Sequence, residues 1–248
     1  MFNYFKFFFA QIIFVLKSFL KFKKFIKNND VDAAYNLLHN HTKKSLNKVN
    51  INVNVIGEDR IPDEPVLFVI NHASMLDSFI LVSSVKKTTG CLISAEGLWS
   101  TLPIITTWLK FLNCVYIDRS NNRSSIKSIQ ESANTILSGN NMAVFAEGDL
   151  TWVKEPSSLV APFRTGALKI AYKANCPIVP LVIKNSMQTY KGYEPIGPIT
   201  SMDVEVEFLE PVYKHIEDTQ LKTPLLGEEI RSNMISCIED FNNKNKHS

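Results

Sequence analysis

The first 27 residues contain no aspartate or glutamate. They also lack the run of about twenty apolar residues that a membrane-spanning helix needs: their longest charge-free stretch, Phe7–Leu16, is ten residues. No small-residue cleavage site follows that stretch, so it does not read as a secretory signal peptide. The whole chain has four cysteines, Cys91, Cys114, Cys176 and Cys237, and none belongs to a C-x-x-C pair. Each sits in or beside an apolar stretch, and they read as buried, reduced thiols of a cytosolic environment. The five histidines do not cluster as metal ligands, and the one close pair, His39 and His41, lies in a polar stretch and reads as surface. No metal site and no cofactor site is expected. There is no internal repeat and no low-complexity linker.

What is present is unevenly placed. The formal net charge is +3, with 27 basic and 24 acidic residues over 248. Six lysines (Lys6, Lys17, Lys21, Lys23, Lys24 and Lys27) fall in the first 27 residues, so the remainder carries 21 basic against 24 acidic side chains, or −3. A nucleic-acid-binding protein would spread its basic surface over the fold, and none is expected as a partner here. The same 27 residues hold nine of the sixteen phenylalanines. At about 100° per residue, Lys6, Lys17, Lys21 and Lys24 share one sector of a helix, with Phe8, Val15, Phe19, Phe22 and Ile26 opposite. That pattern suits a helix lying in the membrane interface, its lysines at anionic head groups and its phenylalanines in the acyl region. Residues 1–27 are therefore expected to meet a lipid bilayer, peripherally or monotopically, at the cytoplasmic face.

The 45% hydrophobic content of the chain supports one sizeable core, and 21% charged residues argue against general disorder. Residues 31–49 read as a polar, weakly helical connector. The body then alternates strand and helix signals. Residues 51–57 suit an edge strand, while 65–70, 89–95, 113–118, 142–147 and 177–184 are apolar runs of the kind buried on both sheet faces. Residues 204–208 alternate as a more exposed strand. Helices are expected from Ser74, over 98–112, over 125–137 (Ile126, Ile129, Ala133, Ile136 and Leu137 on one face, Gly139 at the end), over 164–175 and over 224–241. The expected fold is α/β, a mostly parallel central sheet with helices on both faces, preceded by the amphipathic helix. The expected division is 1–48, membrane segment and connector, and 49–248, the catalytic domain.

Three apolar strands end in polar residues that a plain core would not need: Asn71-His72, Asp118-Arg119 and Glu147-Gly148. Ligands of open α/β sheets bind beyond the carboxyl ends of strands. His72 and Asp77 are five positions apart, too far round one helix to meet. Ser74-Met75-Leu76-Asp77, however, is a capping-box pattern that starts a helix at Ser74 and leaves His72 in the preceding loop. The loop can then bring the imidazole to the Asp77 carboxylate, which would fix its tautomer and raise the basicity of the other nitrogen. Such a pair can take a proton from a hydroxyl. Ser74 is accounted for as a cap rather than as a nucleophile.

These residues carry a resemblance. "NHASMLD" is similar to the N-H-x-x-x-x-D signature of the glycerolipid acyltransferase family, which includes 1-acylglycerol-3-phosphate acyltransferases. "NCVYIDRS", "VFAEGDLT" and "APFRTGALKIAYKANCPIVPLVI" resemble the family's later blocks in order and spacing, so the likeness covers about residues 50–210. It implies transfer of a fatty acyl group from a thioester, acyl-CoA or acyl carrier protein, to a hydroxyl of a lysolipid in phospholipid biosynthesis, with 1-acylglycerol-3-phosphate the implied acceptor. His72 would be the general base and Asp77 its orienting partner; Asn71, Ser74, Arg119, Glu147, Gly148 and Arg164 would form the substrate site, Arg119 holding a phosphate. Backbone N–H groups near Gly148 would serve the oxyanion. One departure stands out. The family usually reads Glu-Gly-Thr-Arg where this chain has Glu147-Gly148-Asp149-Leu150, so a phosphate-binding arginine is missing and Arg164 or Lys169 is expected to supply its charge. The alternatives are a different lysolipid or polar acceptor, a hydrolase that activates water, or a membrane-binding scaffold without activity.

Overall fold

The structure, a computed structural model, describes residues 1–96, 101–190 and 197–246. Its centre is a seven-stranded sheet: β1 (Ile51–Ile56), β2 (Leu67–Ile70), β3 (Thr89–Ser94), β4 (Val115–Ile117), β5 (Asn141–Phe145), β6 (Ile178–Lys184) and β7 (Met202–Phe208), in the spatial order β1-β7-β6-β2-β5-β3-β4. Every neighbouring pair is parallel except β6 with β7. The mostly parallel α/β architecture expected from the alternating signals is the one observed. β1 is an edge strand, as its alternation suggested. β7 alternates as expected but lies inside the sheet, between β1 and β6.

The helices are α1 (Phe2–Asn28), α2 (Val31–Lys48), α3 (Asp77–Ser84), α4 (Pro103–Phe111), α5 (Asn122–Leu137), a short α6 (Thr151–Lys154), α7 (Lys169–Ala174), a short α8 (Lys214–Glu217) and α9 (Thr223–Lys246). Of the helix expected over 98–112, residues 98–100 lie outside the described residues. Strand alternation sends the sheet's apolar residues into two layers. Leu67 and Val69 of β2 join Ile129, Ala133 and Ile136 of α5, Ile170 of α7 and Met234 of α9 on one face. Phe68 and Ile70 join Phe7 of α1, Leu46 of α2 and Ile80 of α3 on the other. Ile126 and Leu137, expected on the buried face of α5, are exposed, because α5 turns Ser128, Ile129, Ser132, Ala133 and Ile136 inward instead.

The N-terminal part is more structured than a connector. Asn29 turns the chain through φ 53°, and Asp30 caps α2 by accepting a bond from Ala33 N at 3.1 Å. α2 is a full 18-residue helix against α3, where Tyr35 O–H donates to Val85 O at 3.2 Å. The two helices also correct the reading of α1. Phe8, Val15, Phe19 and Phe22 were expected to face lipid, but they pack on the protein; Phe22 is fully buried and stacks on Trp108 at 3.9 Å. The apolar face left open is a different stripe, Phe2, Phe5, Phe9, Ile12, Leu16 and Leu20. His39 and His41 are half-buried rather than surface residues, His39 bonded through Nδ1 to Val82 O at 2.8 Å and His41 stacked on Phe14 at 3.8 Å. Among the described residues, no helix is long and apolar enough to cross a membrane.

Candidate active site

The register of two adjacent central strands builds the site. Ile70 of β2 is paired with Phe145 of β5. The residues two positions beyond each, His72 and Glu147, therefore emerge side by side at the carboxyl end of the sheet. β2 continues through α3 on one face to β3, and β5 continues through α7 on the other face to β6, so the chain diverges at this point and opens a crevice.

His72 is held from every side. Its Nδ1 donates to Asp77 Oδ2 at 3.0 Å, and its ring stacks on Phe145 at 4.2 Å. Its backbone N–H donates to Glu147 Oε1 at 2.7 Å. Its carbonyl accepts bonds from Thr151 N at 2.7 Å and Thr151 Oγ1 at 3.0 Å. The imidazole is 17% exposed. With Nδ1 committed to a carboxylate, Nε2 is the nitrogen left for a substrate, and among the described residues it has no protein partner.

Asp77 is fully buried, and its Oδ2 also accepts from Ala73 N and Ser74 N, both at 2.7 Å. The helix starts at Asp77, three residues later than expected. Half of the capping box survives in the Ser74 N to Asp77 bond. Ser74 Oγ accepts from Leu76 N at 3.2 Å, a local cap bond, and is also tied to Thr189 Oγ1 at 2.8 Å and Tyr190 O at 3.0 Å, a tertiary contact that fixes the loop. Asn71 and Ser74, expected to contact substrate, are buried at 1% and 0% exposure. Asn71 pins β2 to β6 through Nδ2 to Ile183 O at 2.9 Å and Ile183 N to Oδ1 at 2.8 Å. Both act on the shape of the loop.

Glu147 is fully buried, its second oxygen accepting from Ala161 N at 2.7 Å. Burial holds its carboxyl above the usual carboxylate range, partly offset by bonds from Thr151, His72 and Ala161. Gly148 follows with φ +81°, and Arg164 lies so close that a Cβ at Gly148 would sit 2.5 Å from Arg164 Cδ. Arg119 Nη1 donates to Gly148 O. Lys154 Nζ, unforeseen in the sequence, donates to Glu147 O at 2.9 Å and to Pro162 O. Three cations thus surround one glycine. Burial and then the nearby Arg164 lower the pKa of both Arg119 and Lys154, with Asp149 and other acids pulling the opposite way. Lys169 is elsewhere, beside Lys173 and Gln220. Leu150, at the position of the missing arginine, is a packing residue with 2% exposure. The expected oxyanion donors near Gly148 are largely engaged: the N–H of Gly148 donates to Phe145 O at 3.0 Å, that of Leu150 to Asp149 Oδ1 at 2.8 Å and that of Thr151 to His72 O. Among the described residues, no group of His, Cys, Asp and Glu is arranged to hold a metal.

The chain is similar to known proteins. The model of a family described as Acyltransferase matches residues 52–184. A probable 1-acyl-sn-glycerol-3-phosphate acyltransferase of Mycoplasma pneumoniae is 36% identical over 141 residues, 55% of this chain and 51% of that protein. One of the same description from Mycoplasma genitalium is 31% identical over 188 residues, 73% of this chain and 69% of that protein. The chain thus spans about half the length of the first relative and about two thirds of the second. The crystal structure of the 1-acyl-sn-glycerophosphate acyltransferase PlsC from Thermotoga maritima superposes with a TM-score of 0.79 over 97% of this chain and 95% of that one, at 20% identity, which speaks to the fold alone.

Proposed function

This chain belongs to the acyltransferase family, and we propose that it moves a fatty acyl group from a thioester, acyl-CoA or acyl carrier protein, to the free hydroxyl of 1-acylglycerol-3-phosphate at a bilayer surface, in phospholipid synthesis. The observation that carries this reading is the junction of the His72–Asp77 pair with the three cations one residue beyond Glu147. A hydroxyl base and a phosphate clamp sit within one loop cluster.

In the proposed reaction, His72 Nε2 takes the proton of the acceptor hydroxyl as its oxygen attacks the thioester carbonyl. General-base help of this kind contributes about 10²–10⁴-fold. Asp77 keeps the proton on Nδ1 and stabilises the imidazolium that forms. Collapse of the tetrahedral intermediate breaks the C–S bond, and the departing thiolate takes the proton back from Nε2. The products are an ester and a thiol. Glu147 keeps the His72 backbone and the 161 loop in place. Arg119 and Arg164 grip the phosphate through paired hydrogen bonds, and Lys154 adds a third charge. A phosphate monoester carries close to two negative charges, which one arginine would leave partly uncompensated. The open stripe of α1, flanked by lysines, supports bilayer attachment.

The test is acylation of lysophosphatidic acid by acyl-CoA, with product read by mass. Each charged hydrogen bond is worth about 1.5–3 kcal/mol, so Arg119→Ala and Arg164→Ala should each raise the acceptor KM about 10–100-fold while the donor KM stays nearly unchanged. A neutral lysolipid acylated equally fast, with no effect of Arg119→Ala, would refute the phosphate site.

A further inference from the structure

A groove of about 480 Å³ lies between α1 and α2, away from the catalytic crevice. Lys6, Lys17 and Lys48 line it, together with Phe9, Ile13, Phe14 and His41. The lysine ion pairs recorded among the described residues are elsewhere, at Lys86, Lys127, Lys184 and Lys214. Among the described residues, therefore, no carboxylate pairs with the lysines of the groove. His41 reports the same imbalance: burial first, then Lys48 and Lys44, push its pKa down to about 4, so the ring is uncharged at neutral pH. That neutral ring lies flat on Phe14 (3.8 Å, 8°) with Nε2 2.9 Å from Gln11 Oε1.

The groove is continuous with the open apolar stripe of α1. Phe9 lines the groove and is also 63% exposed on that stripe, between Phe5 and Ile12. A free phosphate would satisfy the lysines and leave the stripe in water. An apolar peptide would cover the stripe and leave the lysines unpaired. An amphiphile with an anionic head satisfies both.

We propose that this groove is a binding site for the phosphate head group of one anionic phospholipid of the bilayer, whose acyl chains lie along Phe9, Ile12 and Leu16. The proposal deepens the bilayer attachment read above and rests on it. It differs from diffuse attraction between basic helix and anionic surface in naming three lysines out of the set. Lys21, Lys24 and Lys27 are on the same helix and outside the groove. A lipid held here would orient the enzyme on the membrane with a fixed face of α1 towards the acyl region.

The experiment uses the full chain carrying Arg119→Ala, so that the acceptor site does not compete, and dihexanoyl phosphatidylglycerol below its micellar concentration. Calorimetry and native mass spectrometry should find one lipid per chain, and much weaker binding of dihexanoyl phosphatidylcholine. A lysine at an anionic surface is worth about fivefold, so Lys6→Gln/Lys17→Gln/Lys48→Gln should weaken binding about 100-fold. Lys21→Gln/Lys24→Gln/Lys27→Gln should change it by less than about threefold. Equal loss in both triple variants, equal binding of the choline lipid, or equal binding of glycerol 3-phosphate would each overturn the site. Flotation with vesicles tests bilayer attachment separately: a chain that floats yet binds no monomeric lipid keeps the attachment and loses this proposal.

Discussion

Replacing Asp77 by asparagine removes a charge and almost no volume from a fully buried position. Oδ2 there accepts three bonds, from His72 Nδ1 at 3.0 Å and from Ala73 N and Ser74 N at 2.7 Å, while Oδ1 has no partner among the described residues. Asparagine can keep an oxygen at the Oδ2 position, and its NH₂ then sits buried and unsatisfied where Oδ1 was. Hydrogen bonds to a charged group are worth about 1.5–3 kcal/mol, neutral ones about 0.5–1.5, and an unsatisfied buried group costs about 1–3. The three bonds share one acceptor and do not add, so the stability loss should be about 2–4 kcal/mol. Activity should suffer more. The imidazolium formed when His72 takes the substrate proton loses its counter-anion and its tautomer lock, and kcat should fall about 10⁴-fold. The assay is kcat at saturating lysophosphatidic acid and acyl-CoA, alongside a denaturant melt showing that the variant is folded. A folded Asp77→Asn protein within tenfold of the parent kcat would refute the role given to the pair.

Gly148→Ala forces a left-handed backbone on alanine and sets a Cβ 2.5 Å from Arg164 Cδ; Arg164 must swing away, and the acceptor KM should rise about tenfold or more, whereas an unchanged KM would place the phosphate elsewhere. Leu150→Arg, which restores the usual family residue, puts a charge at a position with 2% exposure; it should cost about 3 kcal/mol or more in a denaturant melt and bring no gain in phosphate affinity. Phe9→Ser/Leu16→Ser, at side chains 63% and 72% exposed, should weaken flotation with anionic vesicles more than about tenfold and leave the melt unchanged. Phe22→Ser, at a fully buried position, should instead destabilise the fold by about 3 kcal/mol or more.

The strands were legible because a parallel sheet covered on both faces needs uninterrupted apolar runs, and Leu67–Ile70 and residues 178–183 are such runs. Their polar ends pointed to His72, Arg119 and Glu147. The pairing of Ile70 with Phe145, which sets His72 beside Glu147, is a long-range register that no local pattern encodes. Helical periodicity showed that α1 is amphipathic. It could not say which apolar face is covered, because the covering comes from α2 and from Trp108, far along the chain. Ser74 carries a local capping signal and keeps bonds to Leu76 and Asp77, yet its hydroxyl is shared with Thr189 and Tyr190, long-range partners no local pattern shows, and the regular helix starts only at Asp77. Lys154 and Thr151 belong to the site through a four-residue helix just after Gly148, too short for any periodicity to mark. Arg164 and Lys169 were both candidates for the missing charge, with Arg164 alone placed in the substrate site; the close approach of Arg164 to Gly148, with Lys169 elsewhere, separates them.

That His72 is the base for acyl transfer is tested most directly by the turnover of purified His72→Ala with acyl-CoA and lysophosphatidic acid. The bonds from the His72 backbone to Glu147 and Thr151 do not involve the side chain, so the loop should keep its form. A kcat lower by about 10²–10⁴-fold in a protein that melts like the parent is the expected result; near-normal turnover by a folded His72→Ala protein would contradict it.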